Sequence, residues 1–318
     1  MKSQEKIIQL RNLIDEQLTP IINHSECILV GAPYYHNIGD HLIWRGINDF
    51  FKCHHMSCRH TYSCFHHPHE GSISQECIIF FIGGGNIGDI YIDFSKQLAR
   101  IVELFPENRI IIFPQTVYYQ EKSNEQHFLE KYAQHKNLFF CARDRTTQQL
   151  LKQYLPTERV KLVPDMAFYI NLAWLYGFTK DTTKDTLTIA RNDGETNDSI
   201  TISNDENVAD WPTYDKDLPS VSINLWFIRI HFYHIPLRTA YDWSWNMFQT
   251  HYFSKHMIKL GVAFISPYRH IRTTRLHGAI LAMLLNKEVT VFDNSYGKNK
   301  HFYETWLQDA NEISLYCQ

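Results

Sequence analysis

The residues best suited to chemistry lie near the C-terminus, at the start of a predicted helix. The run from Arg275 to Gly278 reads Arg-Leu-His-Gly, and Arg269 and Arg272 come just before it. A guanidinium is a planar fork that binds a carboxylate or a phosphate through two hydrogen bonds. A histidine such as His277, at a helix N-terminus beside that fork, can give a proton to the oxygen of a leaving phosphate. The pattern predicts a site for a small anion.

A second arginine stands at the end of a strand in the other half of the chain. Arg143 follows an apolar run predicted as a strand over 138–142. If the two halves face each other across a cleft, Arg143 and Arg275 can contact one doubly charged anion. The alternative is a local salt-bridged turn formed by Arg143, Asp144 and Arg145.

One turn sequence occurs twice, 49 residues apart, each time after an apolar run. Asn37 to Asp40 and Asn86 to Asp89 both read Asn-Ile-Gly-Asp, and Gly84 belongs to the glycine run before the second copy. In open α/β sheets such turns lie at the carboxyl ends of strands, where ligands bind. The alternative is that these Asn and Asp residues serve only as turn and N-cap residues.

The glycine run beginning at Gly83 formally matches Gly-x-Gly-x-x-Gly, but its context differs from that of a dinucleotide site. No acid ends the next strand, which closes with Phe113-Pro114-Gln115. A Gly-Lys-Ser/Thr phosphate loop is also missing from the sequence. These patterns disfavour NAD and ATP and favour a smaller anion.

Strands and helices alternate along the first half, which predicts a parallel sheet covered on both faces. Strands are predicted over 27–31, 77–82, 109–114, 138–142 and 160–163. Helices are predicted over 40–51, 93–104, 124–135 and 145–154, after an amphipathic N-terminal helix.

The second half repeats this alternation. Strands are predicted over 186–191, 270–274 and 289–293, and helices over 243–260 and 276–285, while 198–240 is left unassigned. We therefore expect an α/β protein with two Rossmann-like domains facing across a cleft, GT-B-like, divided as 1–175 and 176–318.

Composition narrows the function classes. A formal net charge of −3 disfavours nucleic acid as a partner. The apolar runs are shorter than a membrane span needs, and the N-terminus lacks a signal-peptide pattern, so we expect a cytoplasmic protein. The segment from Cys53 to Glu70 is rich in Cys and His, but its spacings match no standard zinc pattern. We interpret it as a strand and a polar loop, with a metal site as the alternative.

A set of motifs in fixed order gives this sequence a family resemblance. They are GAPYYHNIGDHLI, FFIGGGNIGDIY, FPQT, ARDRTT, VPDMAF, ARNDGE, TTRLHGAILAMLL and VFDNSYGKNKHFYETW. Together they resemble the polysaccharide pyruvyltransferase family, particularly its bacterial exopolysaccharide branch, over most of the chain. The poorly matched part is 198–240.

The resemblance implies an interdomain active site that uses phosphoenolpyruvate. Pyruvate would move onto two hydroxyls of one sugar as a cyclic ketal, with release of phosphate. The family's donor-binding residues fall on Arg143, Arg275 and Leu276, and its catalytic histidine falls on His277. No metal or other cofactor is required by this chemistry.

Further residues are candidates for the cleft or for the acceptor site. Asp40, Asp89 and Asp193 are candidates for the base that deprotonates the sugar, and Asp293 and Lys298 for the cleft wall. Asn37, Gly84 and Asn86 complete the set through their turns.

The acceptor is expected to be a sugar or a lipid-carrier-linked oligosaccharide. This partner would place the protein at the inner face of the cytoplasmic membrane. The aromatic stretch over 225–236 is interpreted as part of the core, and the alternative is that it contacts the membrane there. Two alternatives to the pyruvyl transfer remain at this stage. One is a GT-B glycosyltransferase that uses a nucleotide-sugar, and the other is a non-catalytic member of a polysaccharide assembly complex.

Overall fold

The computed structural model describes residues 1–22, 26–33, 35–63, 68–191, 207–212 and 252–316. Within them the chain forms two separate β-sheets with helices packed around both. Every strand pairing in these residues is parallel. The protein therefore consists of two α/β units, as the alternating pattern predicts.

The first sheet has seven strands in the order β2-β1-β3-β5-β6-β7, with β4 paired to β5. Its strands are β1 (Glu26–Ala32), β2 (Ser57–Ser63), β3 (Ile78–Phe81), β4 (Gly84–Gly88), β5 (Ile110–Tyr118), β6 (Leu138–Ala142) and β7 (Val160–Leu162). Its helices are α1 (Ser3–Leu18), α2 (Ile38–Cys53), α3 (Ile92–Leu104), α4 (Lys122–Gln134), α5 (Arg145–Leu151) and α6 (Leu172–Tyr176). Short 3-10 helices cover Thr19–Ile21, Thr157–Arg159 and Met166–Tyr169.

The second sheet has five strands in the order β12-β11-β10-β8-β9. They are β8 (Lys184–Ile189), β9 (Asn207–Ala209), β10 (Tyr268–Thr273), β11 (Glu288–Val291) and β12 (Ile313–Leu315). The helices of this half are α7 (Ser254–Ile265), α8 (Leu276–Leu284) and α9 (Lys298–Trp306).

Two apolar cores hold these layers together. The central strands of the first sheet, β1, β3 and β5, are buried on both faces. Successive residues of β1 therefore contribute to different cores: Leu29 to one and Val30 to the other. The first core also contains Leu187 of β8 and Ile271 of β10, so it joins the two units. The second core lies on the other face of the first sheet, under α3 and α4. Burial of this apolar surface holds the cleft walls in a fixed relation.

Residues near both ends of the chain form contacts between the two units. The N-terminal amine donates to the Asp309 carbonyl at 2.8 Å, and the Lys6 ammonium lies 2.8 Å from the Asp309 carboxylate. At the other end, Trp306 Nε1 in α9 donates to the Arg143 carbonyl at 2.7 Å. The division at 1–175 and 176–318 stays a prediction, and these crossings show that the two units share their terminal helices.

Most predicted elements are present, with ends shifted by a few residues. The main correction is the glycine run, which was expected as a loop. It forms strand β4 instead, which pairs with β5 from Gly84 opposite Gln115 to Gly88 opposite Tyr118. Glycine suits this strand because Gly88 has φ +155° and a Cβ there would lie 1.8 Å from the Tyr118 carbonyl oxygen.

Two further predicted segments lie partly or wholly outside the described residues. Part of the helix expected over 243–260 appears as α7, whereas 243–251 lies outside those residues. The aromatic stretch over 225–236 lies outside them entirely. Among the helices that the structure describes, none combines the length and apolar character needed to cross a bilayer.

Candidate active site

A cavity of about 740 Å³ opens where the carboxyl ends of strands from both sheets meet. From the first unit it is lined by the Asn37–Asp40 turn, the Gly85–Asn86 segment and Arg143; from the second it is lined by Arg275, Leu276, His277 and Lys298. The cavity thus brings together Arg143 and Arg275, which the sequence places 132 residues apart (275 − 143). It is therefore the candidate active site.

Arg143 is held rigidly at the bottom of this site. It follows β6, and its side chain is 1% exposed. Its Nε and Nη2 both donate to Thr116 Oγ1 at 3.1 Å, and its Nη1 donates to Asp165 Oδ2 at 2.9 Å. The neighbouring Asp144 is instead the N-cap of α5 and accepts from Thr147 N at 2.7 Å. The local salt-bridged turn is thus not what holds Arg143.

His277 shares its carboxylate partner with Arg143. Its Nε2 lies 3.2 Å from Asp165 Oδ2, the same oxygen that accepts from Arg143. The Asp165 side chain is 1% exposed, and its other oxygen accepts from Ala167 N at 2.9 Å. Because Oδ2 accepts from Nε2, the proton on the neutral imidazole is fixed at Nε2.

The surroundings of Asp165 keep its carboxyl ionised. Burial opposes ionisation, but the charges of His277 and Arg143 and the hydrogen bonds from His277 and Ala167 outweigh it. They hold the pKa of Asp165 well below its ordinary value. An ionised Asp165 can only accept a hydrogen bond, so it orients the His277 ring through Nε2.

The first Asn-Ile-Gly-Asp turn forms the opposite wall, at the start of α2. Asn37 is the N-cap and accepts from Gly39 N at 3.1 Å, while its Nδ2 donates to Asp40 Oδ2 at 3.0 Å. The ring of His277 packs directly on Gly39, where a Cβ would lie 2.4 Å from Nδ1. Glycine is needed here because another residue would displace His277.

Asp40 is a buried carboxyl among positive groups. Its residue is 5% exposed and lines the cavity. Burial raises its pKa, while the charge of His277, a hydrogen bond from Tyr35 and the charges of Lys298 and Arg143 oppose the rise. A carboxylate with a raised pKa accepts a proton more readily than an exposed one.

Lys298 and Arg143 approach each other at Gly85. A Cβ on Gly85 would lie 3.1 Å from Arg143 Nη2 and 3.6 Å from Lys298 Nζ. A ligand atom in that space would therefore contact both cations. Lys298 is 7% exposed and begins α9, so it is a buried part of the cavity and not a surface lysine.

Arg275 is paired at the cavity wall. Its Nε and Nη2 donate to the two carboxylate oxygens of Asp210, and the Nη2 contact is 2.6 Å. Leu276, the first residue of α8, is 3% exposed and lines the same wall. The other two arginines of this region lie elsewhere: Arg269 is exposed, and the Arg272 guanidinium lies 5.1 Å from the centre of the Phe292 ring.

The second Asn-Ile-Gly-Asp copy contributes differently from the first. Asn86 lines the cavity and its N–H donates to Gln115 Oε1 at 3.2 Å, and Gly84 lies beside Asp40. Asp89 does not line the cavity, contrary to expectation. Its carboxylate accepts from the N–H groups of Gln120 and Glu121 at 2.9 and 3.0 Å, at the start of α4. Hydrogen bonding to these donors explains its position.

Two other predicted aspartates are also accounted for. Asp293 does not line the cavity, because its Oδ1 accepts from Asn294 N at 2.9 Å and from Lys300 N at 3.1 Å at the start of α9. Of the two candidates in this segment, Lys298 lines the cavity and Asp293 does not. Asp193 lies outside the described residues.

Sequence reasoning missed three residues of the site: Thr116, Asp165 and Asp210. Thr116 lies in the motif FPQT within β5, and Asp165 lies in the motif VPDMAF shortly after β7, so these motifs were the available signal. Asp210 follows the three-residue strand β9 inside the unassigned segment, where no periodic pattern marks it.

The Cys- and His-rich segment contains strand β2, as interpreted, and 64–67 lies outside the described residues. Over the ranges that the structure describes, no group of three or more His, Cys, Asp or Glu side chains is arranged to hold a metal ion.

The fold and the site together define a GT-B-like α/β protein whose cleft places arginines and a lysine beside an Asp–His pair. The sequence profile described as polysaccharide pyruvyl transferase matches residues 37–296. The chain belongs to this family of transferases.

Relatives and a solved structure agree with this assignment. The chain is 30% identical to the Bacillus subtilis (strain 168) protein named "Putative pyruvyl transferase EpsO", over 99% of this chain and 96% of that one. It is 29% identical to "Pyruvyl transferase 1" of Schizosaccharomyces pombe (strain 972 / ATCC 24843), over 73% of this chain and 55% of that one. A crystal structure of a functionally uncharacterized protein from Klebsiella pneumoniae matches with a TM-score of 0.66, at 22% identity and 98% coverage of both chains. That last match supports the fold.

Proposed function

We propose that the protein transfers pyruvate from phosphoenolpyruvate to two hydroxyls of one sugar, forming a cyclic ketal in exopolysaccharide or capsule synthesis. Membership of the pyruvyl transferase family supports pyruvate as the transferred group. The observation that carries the proposal is the shared oxygen of Asp165, which joins a buried arginine to the histidine expected to act as the acid.

The charges of the cavity match those of phosphoenolpyruvate. This donor carries a carboxylate and a phosphate, so it needs cations at two separated points. Arg143 and Lys298 meet at Gly85, and Arg275 stands on the wall formed by the second unit. Guanidinium groups suit both anions because each can form two parallel hydrogen bonds.

The proposed reaction begins with a proton added to C3 of the donor, which makes C2 electrophilic. One sugar hydroxyl forms a bond to C2 and loses its proton to a base. The second hydroxyl then forms a bond to C2 as the bond from C2 to the phosphate oxygen breaks, and its proton leaves with the phosphate. Two hydroxyls and phosphoenolpyruvate thus yield one ketal and inorganic phosphate, and the sequence needs no metal or organic cofactor.

Two side chains provide the proton transfers in this proposal. His277, oriented by its contact with Asp165, is the acid. Asp40 is the base, because it is buried in the cavity near His277 and burial raises its pKa. Asp89 and Asp293 accept hydrogen bonds from backbone N–H groups at helix N-termini, so we do not assign them this role.

The acceptor in this proposal is a sugar, either free or linked to a lipid carrier. A cavity of about 740 Å³ is in the range that holds drug-sized ligands, which leaves room for a sugar ring beside the small donor. The proposed setting is the cytoplasm, at the inner face of the membrane where a carrier-linked sugar would be presented.

The donor is tested by thermal unfolding of the purified protein with increasing phosphoenolpyruvate, and with UDP-sugars in parallel. A ligand that binds only the folded state raises the unfolding midpoint as its concentration passes Kd. We expect a rise with phosphoenolpyruvate that Arg275→Ala abolishes. The matched control is Arg272→Ala, since Arg272 lies three residues before Arg275, on β10, and its guanidinium packs near Phe292. A rise with a UDP-sugar alone would identify a glycosyltransferase instead.

A further inference from the structure

The pairing of Arg275 with Asp210 has the geometry of ligand recognition. Both oxygens of the Asp210 carboxylate face the Nε and Nη2 edge of the guanidinium, one oxygen on each nitrogen. This two-point arrangement is the one a guanidinium forms with any planar carboxylate. The side chains are 13% and 27% exposed, so the pair stands on the cavity wall within reach of a small molecule.

Asp210 lies beside a short strand of the second sheet. Among the residues that the structure describes, it follows the three-residue strand β9, which pairs with β8. Its Oδ1 also accepts from Trp211 N at 2.7 Å, and Trp211 is buried in the first core, so displacement would move the Asp210 side chain and leave the main chain in place. Arg143, by contrast, is enclosed by Thr116 and Asp165 at the bottom of the site.

We propose that Asp210 occupies the carboxylate subsite of the donor, and that the carboxylate of the incoming ligand displaces it from Arg275. This inference rests on the proposed function for the identity of the donor. The phosphate then binds at the other point of positive charge, where Arg143 and Lys298 meet at Gly85. Asp210 becomes the residue that sets both donor affinity and selectivity for ligands with a carboxylate.

Occupation of the subsite by the Asp210 carboxylate has a measurable consequence for ligand binding. A ligand that must displace Asp210 binds with an apparent Kd raised by the inverse of the fraction of unpaired Arg275. Inorganic phosphate is proposed to bind where Arg143 and Lys298 meet, and that point does not require displacement of Asp210. Removing the charge of Asp210 should therefore tighten the binding of carboxylates, whereas loss of a residue that merely orients Arg275 would weaken it.

The test compares Asp210→Asn with the wild type for three probes: phosphoenolpyruvate, pyruvate and inorganic phosphate. We expect Kd values about three- to tenfold lower for phosphoenolpyruvate and pyruvate in the variant. The Kd for inorganic phosphate should change by less than about twofold. Binding is measured by isothermal titration calorimetry, and asparagine keeps the shape of the side chain.

A charge-matched control removes the effect of net charge. Asp93 lines the same cavity, but its side chain is 92% exposed and its carboxylate lies 3.4 Å from the Lys96 ammonium. Asp93→Asn changes the charge equally, so any purely electrostatic gain appears there too and affects phosphate and carboxylates alike.

The outcomes separate this inference from the proposed function. Equal or weaker carboxylate binding in Asp210→Asn, or a gain no larger than in Asp93→Asn, overturns the displacement. If the wild type fails to bind phosphoenolpyruvate but the variant gains pyruvate binding, the proposed donor is wrong and the carboxylate subsite stands. If neither protein binds any of the three probes, both are wrong.

Discussion

Asp165 Oδ2 lies 3.2 Å from Nε2 of His277, although 112 residues separate them in the chain. Asp165 follows β7 of the first sheet, whereas His277 is in the first turn of α8 in the second unit. One hydrogen bond therefore joins the two walls of the cleft at the point where proton transfer is proposed. The same oxygen also accepts from Arg143 at 2.9 Å, so the acid and a donor-binding cation depend on one carboxylate.

Replacing Asp165 with Asn should abolish most turnover while the protein stays folded. The amide has lost the charge that faces His277 and Arg143, and it can turn its NH2 group toward Nε2, so the ring is no longer oriented as in the wild type. We expect the rate of phosphate release from phosphoenolpyruvate with a sugar acceptor to fall on the order of 10²–10⁴-fold, the usual range for proton transfer catalysis. Asp89→Asn is the control, since Asp89 binds the start of α4 outside the cavity. Equal rates in Asp165→Asn and the wild type would contradict the role of the Asp–His pair.

Gly39→Ala should displace His277 without removing any functional group. The added Cβ would lie 2.4 Å from His277 Nδ1, so the ring has to move. A shift of about 1 Å in a reacting group can cost on the order of 10²-fold in rate. We expect that loss in phosphate release, with the stabilisation by phosphoenolpyruvate retained.

Gly46→Ala on the same helix gives the contrast. Its Cβ would lie 1.8 Å from the Met166 carbonyl oxygen, so this variant should lose stability first. A Gly39→Ala enzyme with normal turnover would mean that the ring has room elsewhere.

Gly88→Ala should destabilise the pairing of β4 with β5. Its φ is +155° and the added Cβ would lie 1.8 Å from the Tyr118 carbonyl oxygen, so β4 and β5 would have to separate. We expect a loss of about 2–4 kcal/mol in the free energy of unfolding, measured by urea denaturation. The matched control is Gly71→Ala, with φ +71° and no neighbouring atom within 4 Å, which should cost about 1 kcal/mol. Similar losses in both variants would show that contact with Tyr118 is unimportant.

His41 should make the protein less stable in mild acid. It is fully buried, its Nε2 lies 2.9 Å from the Tyr35 carbonyl oxygen, and burial lowers its pKa from 6.5 to about 4. The folded state therefore favours neutral imidazole, and this contribution is present above pH 6.5 and is lost as the pH falls toward 4. The shift corresponds to about 3 kcal/mol across that window.

The measurement is urea unfolding at several pH values for the wild type and His41→Gln. The amide side chain can still donate to the Tyr35 carbonyl but does not titrate, so the variant should lose less stability between pH 6.5 and 4. Parallel pH profiles for the two proteins would rule out His41 as the source.

Local pattern determined the elements and several of the site residues. Alternating apolar runs and amphipathic stretches gave β1, β3, β5 and β6 and the helices between them, because their period and burial are written in neighbouring residues. Arg143, Arg275 and His277 could be selected because their types suit an anion and because each stands at a strand or helix end. The ordered motifs then indicated the family, which the family profile bears out.

Only the tertiary structure decided what each candidate contacts. Asp40 and Asp89 end identical four-residue sequences, yet one lies buried beside His277 and the other binds the start of α4. The local sequence cannot distinguish the two aspartates, since their different positions come from the elements packed against each copy. Asp165 and Asp210 became visible for the same reason: a carboxylate's role depends on which cation lies within hydrogen-bond distance, and those cations come from distant parts of the chain.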